Sequence, residues 1–147
     1  MPVFESAVDV ACSPQQAFEF LARPANLLLV TPPDVNMTLV DAPERLTLGS
    51  KITAKVSKFG VPQKITNEVT AFEEGVGFTD VQVSGPFKKF EHTHRVEPAG
   101  SGTRIFDRIE YEAPGGLVGL LLTNKKIQEY LETLDAYRAK RFKELLK

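Results

Sequence analysis

The chain has 147 residues, 25% of them charged and 42% apolar, with a formal net charge of −1. That length buries a core without metal or disulfide support, and the near-neutral balance gives no electrostatic footprint for nucleic acid or acidic polymers. Cys12 is the only cysteine, which excludes an internal disulfide and a thiolate zinc cluster.

Val3 to Ala11 alternates Phe4, Ser6, Val8 and Val10 against Val3, Glu5, Ala7 and Asp9, the period of a strand. Ser13-Pro14-Gln15-Gln16 then reads as a capping box with proline at the first helical position. Ala17, Phe18, Phe20 and Leu21 supply the buried side of a short helix that Arg23-Pro24 ends. Ala25 to Val30 adds another turn before Thr31-Pro32-Pro33 forces extended backbone.

From Asn36 to Ala113 the pattern has period two, punctuated by turns. Met37 to Val40 is a short strand. Lys51 to Lys58 and Gln63 to Phe72 are longer ones, joined by a tight turn at Phe59-Gly60-Val61-Pro62. Glu73-Glu74-Gly75 turns the chain into a strand from Val76 to Ser84, and Gly85-Pro86 opens a long hairpin that closes at Pro114-Gly115-Gly116. The period then changes. Leu117, Leu120, Leu121, Asn124, Ile127, Leu131, Leu134, Arg138 and Leu145 share one side of a helix, with Lys125, Glu129, Glu132, Lys140 and Lys143 opposite. Such a helix runs on the order of 40 Å, and its partner is one face of the preceding sheet.

The hairpin carries the chemistry. Alternation places Phe90, His92, His94 and Val96 on one face of its first strand, and Ile105, Asp107, Ile109 and Tyr111 on the matching face of its second. Parity is set by this pattern; register is not. A four-residue loop, Pro98-Ala99-Gly100-Ser101, pairs His92 with Asp107 but sets Arg95 against Arg104. A slip of two residues relieves the arginines, faces Glu91 with Glu110 and brings His94 to Asp107. Either register puts a histidine beside an aspartate on an apolar, helix-facing side.

Two uses fit such a pair. It orients a ligand or moves a proton in an otherwise apolar cavity, or it only satisfies itself inside the core. His92, His94 and Asp107 are the candidate acid–base residues. His92-x-His94 also has the spacing of two metal ligands on a strand, but these are the chain's only histidines and carboxylates such as Asp107 or Asp80 would have to complete the set. No metal site and no cofactor is expected. Asn67, between Ile65 and Val69, and Asp80, between Phe78 and Gln82, are further inward polar candidates; Thr79, Val81 and Val83 offer a competing apolar face. Tyr111 brings a phenol to the same face. Cys12 is read as a small buried hydrophobe, and Arg138, Lys140, Arg141 and Lys143 as cations complementing a helix C-terminus. There is no phosphate-binding glycine loop, no G-x-S-x-G and no His-Glu-x-x-His.

The order strand, two short helices, long antiparallel run and terminal helix resembles the START-like (SRPBCC) superfamily, over the span from Phe4 to Leu145. The more specific likeness lies in Phe78-x-Asp80, Gly85-Pro86-Phe87, His92-x-His94, Gly102-Thr103 and Asp107-x-x-x-Tyr111-x-x-Pro114, similar to a bacterial ligand-binding or polyketide cyclase/dehydrase-like subgroup. Phe90 stands where that subgroup leads one to expect tryptophan. The resemblance implies an α+β helix-grip fold, a curved antiparallel sheet wrapped around a long C-terminal helix with an apolar cavity between them. Members bind lipids, sterols, polyketides or plant hormones, and a minority catalyse cyclisation or dehydration.

The resulting expectation is a single START-like domain over residues 1–147 that binds or carries a small hydrophobic molecule. Phe78, Phe90, Tyr111, Leu121, Ile127 and Leu131 would line the cavity, and Asn67, Asp80, His92, His94 and Asp107 would orient a polar end. The alternatives are a cyclase/dehydratase or hydrolase-like enzyme using the His–Asp pair, and a protein-interaction module displaying Phe72 and Phe106. No apolar run reaches the roughly 20 residues that span a bilayer, and no basic and apolar leader opens the chain. The expected setting is therefore cytoplasmic, without membrane insertion or nucleic acid; the oligomeric state is left open.

Overall fold

The computed structural model describes residues 1–57 and 62–147; the expected turn at Phe59-Gly60-Val61 lies outside the described residues. Seven strands form one antiparallel sheet: β1 (Val3–Val10), β2 (Thr38–Asp41), β3 (Lys51–Val56), β4 (Gln63–Glu73), β5 (Gly77–Ser84), β6 (Lys89–Ala99) and β7 (Gly102–Glu112). Their spatial order is β1-β7-β6-β5-β4-β3-β2. All links but one join strands adjacent in sequence; the exception is β1, which pairs with β7. The sheet curves around the C-terminal helix, and short helices follow the first strand, giving an α+β helix-grip fold.

Helix α1 (Pro14–Leu21) begins as its sequence dictates. The Ser13 hydroxyl accepts from Gln16 N, and the Gln16 side chain accepts from Ser13 N. A 3₁₀ turn at Pro24–Asn26 leads into α2 (Leu27–Val30). Thr31 and Pro32 are extended as expected, but Pro33–Val35 winds into another 3₁₀ turn that ends on Asn36 at φ 51°.

The β6–β7 hairpin adopts the second of the two registers. Ala99 pairs with Gly102, so the loop is only Gly100-Ser101. Gly100 takes φ 59°, a conformation a glycine adopts at the first central position of a two-residue hairpin turn without steric cost. Arg95 then faces Phe106 while Arg104 faces Glu97, and Arg104 Nε donates to Asp9 Oδ1 on β1 at 2.7 Å. Glu91 does face Glu110, yet each has a cation on its own strand, Lys89 at 3.9 Å and Arg108 at 3.4 Å. Exposed pairs of this kind are worth little; they relieve a repulsion rather than drive the register.

Phe72 does not lean outward: it stacks on Phe78 at 6.2 Å and meets Phe18 edge-on at 5.7 Å. The ladder shifts between Val69 and Ala71, and this bulge moves every later residue of β4 to the opposite face from strict alternation. The single long terminal helix is in fact two, α3 (Gly116–Leu121) and α4 (Asn124–Leu145). Leu122 leaves helical geometry at ψ 76°, and the Thr123 hydroxyl caps the second helix by accepting from Lys126 N. The break takes α3 out of the phase of α4, so Leu117, Leu120 and Leu121 are 81%, 75% and 68% exposed instead of facing the sheet. The sheet-facing stripe of α4 is Ile127, Leu131, Arg138 and Phe142.

The core has two apolar clusters. One gathers Phe18, Val69, Phe78, Val96, Ile105 and Phe142; the other gathers Phe4, Ile109, Tyr111, Ile127 and Leu131. Asp107 falls between Ile105 and Ile109 on β7, and Arg138 between Leu131 and Phe142 on α4. The polar residues therefore form a seam between two apolar halves. Cys12 is buried in the first cluster, and that burial pushes its thiol pKa up.

Candidate functional site

Four neighbouring strands and α4 each contribute to the seam. Asn67 comes from β4, Asp80 from β5, His92 and His94 from β6, Asp107 from β7 and Arg138 from α4. Of the two candidate faces of β5, the polar one turns inward: Phe78 and Asp80 are buried while Val83 is 54% exposed. Gly77 opens this strand because a Cβ there would collide with the His94 carbonyl oxygen.

The contacts run diagonally across the ladders. His94 lies opposite Phe78 and Asp107, and His92 opposite Asp80 and Ile109. Yet His92 Nε2 contacts Asp107 Oδ1 at 2.7 Å, and His94 Nε2 contacts Asp80 Oδ2 at 2.8 Å. Asn67 Nδ2 donates to Asp80 Oδ1 at 2.9 Å, and the Arg138 guanidinium donates to Asp107 Oδ1 at 3.3 Å. The imidazoles stack at 3.7 Å between centroids, and Phe78 stacks on the other side of His94 at 4.4 Å. His94 Nδ1 is 3.5 Å from Asp107 Oδ1, near enough for an ion pair but without hydrogen-bonding geometry.

Burial alone would raise the carboxyl pKa of Asp107, but the Arg138 charge and the His92 hydrogen bond outweigh it and hold the group well below the usual carboxylate range. Asp80 is held below its ordinary value in the same way, by His94, His92 and Asn67 against its own burial. Burial and the neighbouring His94 push His92 down, against the pull of Asp107. At neutral pH the site thus contains two carboxylates and a neutral His92. A carboxylate only accepts, so His92 presents its Nε2 proton to Asp107, and Nδ1 is the ring's remaining polar atom.

The seam borders a cavity of about 260 Å³ between the sheet, α1, α2 and α4. Phe20, Leu27, Ile52, Ala54, Ile65 and Leu134 are among its apolar walls, and Asn67, Asp80, Gln82, His92, His94 and Arg138 its polar side. Of the residues expected at the site, Phe78, Phe90, Ile127 and Leu131 border the cavity as well. Asp107 sits behind His92 rather than on the wall. Tyr111 is fully buried beside Phe87, also off the wall. Leu121 is exposed on α3 and does not border the cavity. Arg138, read from sequence as a complement to the helix dipole, is instead the buried counter-ion of Asp107; its place on the stripe with Leu131 and Leu134 was the signal. The contribution of α1 and α2 left no signal beyond their apolar character.

Asp80, His92 and His94 offer ligand atoms that all lie within 4.8 Å of one another. Zinc–nitrogen and zinc–oxygen bonds of about 2.1 Å place tetrahedral donors about 3.4 Å apart. The set has metal-ligand chemistry, but each histidine points an N–H at a carboxylate, a hydrogen-bonded rather than a ligand-like arrangement.

Fold and site together define a helix-grip protein with a mainly apolar cavity and a buried His–Asp seam. The family model described as polyketide cyclase / dehydrase and lipid transport matches residues 1–143, and the chain belongs to that family, within the START-like superfamily. No curated protein matches it. Among solved structures, TTHA0849 from Thermus thermophilus is 20% identical with a TM-score of 0.68, over 95% of this chain and 96% of that one. Protein CV1439 from Chromobacterium violaceum is 11% identical with a TM-score of 0.73, over 99% and 98%. The ginseng major latex-like protein 151 from Panax ginseng is 17% identical with a TM-score of 0.66, over 95% of each. At these identities the likeness is one of fold. Among the described residues, no helix is long and apolar enough to cross a membrane.

Proposed function

We propose that residues 1–147 form one START-like unit that binds or carries a small, largely apolar molecule in the cytoplasm, holding it between sheet and α4. The observation that carries this reading is the cavity of about 260 Å³, apolar on most sides and polar along one seam. At roughly 30 Å³ per water it is equivalent to about nine waters, the scale of a one- or two-ring aromatic or a medium-chain lipid. Apolar contact supplies affinity and the seam supplies orientation. Native mass spectrometry of the protein purified without detergent tests it, together with calorimetric titration by 2-naphthol. Retained small molecules or saturable one-to-one uptake support the reading; neither being seen removes it.

A second reading rests on the 2.7 Å His92–Asp107 contact. A neutral imidazole oriented by a carboxylate is the apparatus of a general base. In a dehydratase of this kind, His92 Nδ1 would take the α-proton of a β-hydroxyketone and return it to the β-hydroxyl as the C–O bond breaks, so that the C=C bond forms and water leaves. Incubation with an aryl β-hydroxyketone would then produce enone absorbance, lost in His92→Gln; no enone from the unmodified protein ends this reading.

A further inference from the structure

The polar groups of the cavity share a property that bears on what it takes. Asn67 Nδ2 donates to Asp80 Oδ1, and since a carboxylate cannot donate, the amide's orientation is set: Oδ1 is left as a buried atom with no partner among the described residues. Gln82 Nε2 donates to the Phe87 carbonyl at 2.7 Å, and the Thr31 hydroxyl donates to the Leu27 carbonyl at 2.6 Å. Both histidines commit Nε2 to carboxylates. The two lining guanidinium groups face carboxylates as well, Arg138 at Asp107 and Arg23 at Glu19 and Glu44. Lone pairs are therefore in excess on this wall, on Asp80, Asn67, Gln82, Thr31 and His92 Nδ1, and donors are in deficit. The donors left over include the second N–H of the Asn67 and Gln82 amides and the remaining N–H groups of Arg138, on a side chain only 8% exposed.

Resting on the cavity-binding reading, we infer that this cavity selects ligands whose polar end donates a hydrogen bond, such as a phenol, alcohol or amine, and rejects carboxylates. A donating hydroxyl meets the His92 and Asp80 lone pairs, whereas an ether of the same shape leaves them unpaired. A ligand carboxylate would add a third buried negative charge beside Asp80 and Asp107, with Arg138 already engaged. Sites built to pair one hydrogen-bonding group discriminate strongly against analogues that lack it.

Calorimetric titration of the full chain at pH 7.5 with 2-naphthol, 2-methoxynaphthalene and 2-naphthoate tests this, since the three share one apolar body. The expected order is 2-naphthol at least about tenfold tighter than either of the others. In His92→Phe and in Asn67→Val the preference over the ether should shrink severalfold. If neither variant folds, the series on the unmodified protein decides alone. Equal affinities, or 2-naphthoate tightest, overturn the inference while leaving the cavity-binding reading intact. A preference that persists unchanged in both variants overturns its placement on the seam. No binding of any probe overturns the cavity-binding reading itself. Stoichiometric uptake of Zn²⁺ by the protein alone also overturns the inference, because the same lone pairs would then be ligands of a cation.

Discussion

His92 Nε2 lies 2.7 Å from Asp107 Oδ1, although the residue directly across the ladder from His92 is Ile109. The contact is diagonal, and it exists because His94, which does face Asp107, commits its own Nε2 to Asp80 on the other side. Two histidines two residues apart thus serve two different strands. Between them they tie β5, β6 and β7 together through side chains as well as backbone.

Arg138 is the cation that makes Asp107 tolerable in this position. Replacing it with methionine leaves a buried carboxylate without its charge partner, a change that typically costs about 3–5 kcal/mol. Urea denaturation should show that loss in Arg138→Met, and a substantial recovery in the double variant Arg138→Met/Asp107→Asn, which removes both charges. A double variant as unstable as the single one would show that Arg138 acts through packing on Phe142, 5.1 Å away, and not through charge.

Acid should destabilise the protein in two stages. The folded pKa of His92 is depressed, so between that value and about 6.5 the unfolded chain binds the extra proton and stability falls as pH falls. The folded pKa values of Asp107 and Asp80 are also depressed, so their contribution is complete above about 3.9 and is lost below it, toward their folded values. Urea midpoints measured from pH 7.5 down to pH 3 should decline first below about 6.5 and more steeply below about 4. His92→Gln should flatten the upper stage. A midpoint constant from pH 7 to 4.5 in the unmodified protein would contradict this.

Filling the cavity should separate binding from folding. Ala54 borders it from β3, opposite Ile65. Ala54→Leu adds apolar volume to empty space, so stability should change by less than about 1.5 kcal/mol while 2-naphthol uptake drops at least about tenfold. Uptake equal to that of the unmodified protein would place the probe elsewhere.

The break at Thr123 gives two leucines, ten residues apart, opposite fates. Leu131→Ala, under the sheet, should cost about 2–5 kcal/mol. Leu121→Ser, on exposed α3, should stay within about 0.5 kcal/mol, and Thr123→Ala should cost about 1 kcal/mol through loss of the cap. If Leu121→Ser destabilised the protein as much as Leu131→Ala, the two helices would have to be one.

How far the amino-acid pattern reaches can be seen residue by residue. Alternation along β6 and β7 placed His92, His94 and Asp107 on one inward face, because side-chain direction in a strand has a period of two whatever the strand pairs with. Ser13 and Gln16 announced α1 because capping is a contact between residues three apart. Register was a choice between two. Parity constrains only even slips, and the tight turn at Gly100 that selects one of them competes with longer loops drawn from the same residues. Phe72 was misplaced because a bulge inserts a residue without any marker in the hydrophobic pattern. Leu117, Leu120 and Leu121 were misplaced because their spacing continues the phase of α4 across a break that one threonine makes.

Local periodicity and near-neighbour contacts are enough to specify the element order, the antiparallel sheet followed by a helix, and the inward polar residues of the hairpin. It took the folded chain to establish that Asp80 partners His94, that Asp107 partners both His92 and Arg138, and that α1 and α2 help wall the cavity. The side-chain pairs join residues 14 to 31 positions apart, across strands and from sheet to helix. The geometry that sets them is the curvature of the sheet and the phase of α4 above it. Neither leaves a repeating mark along the chain.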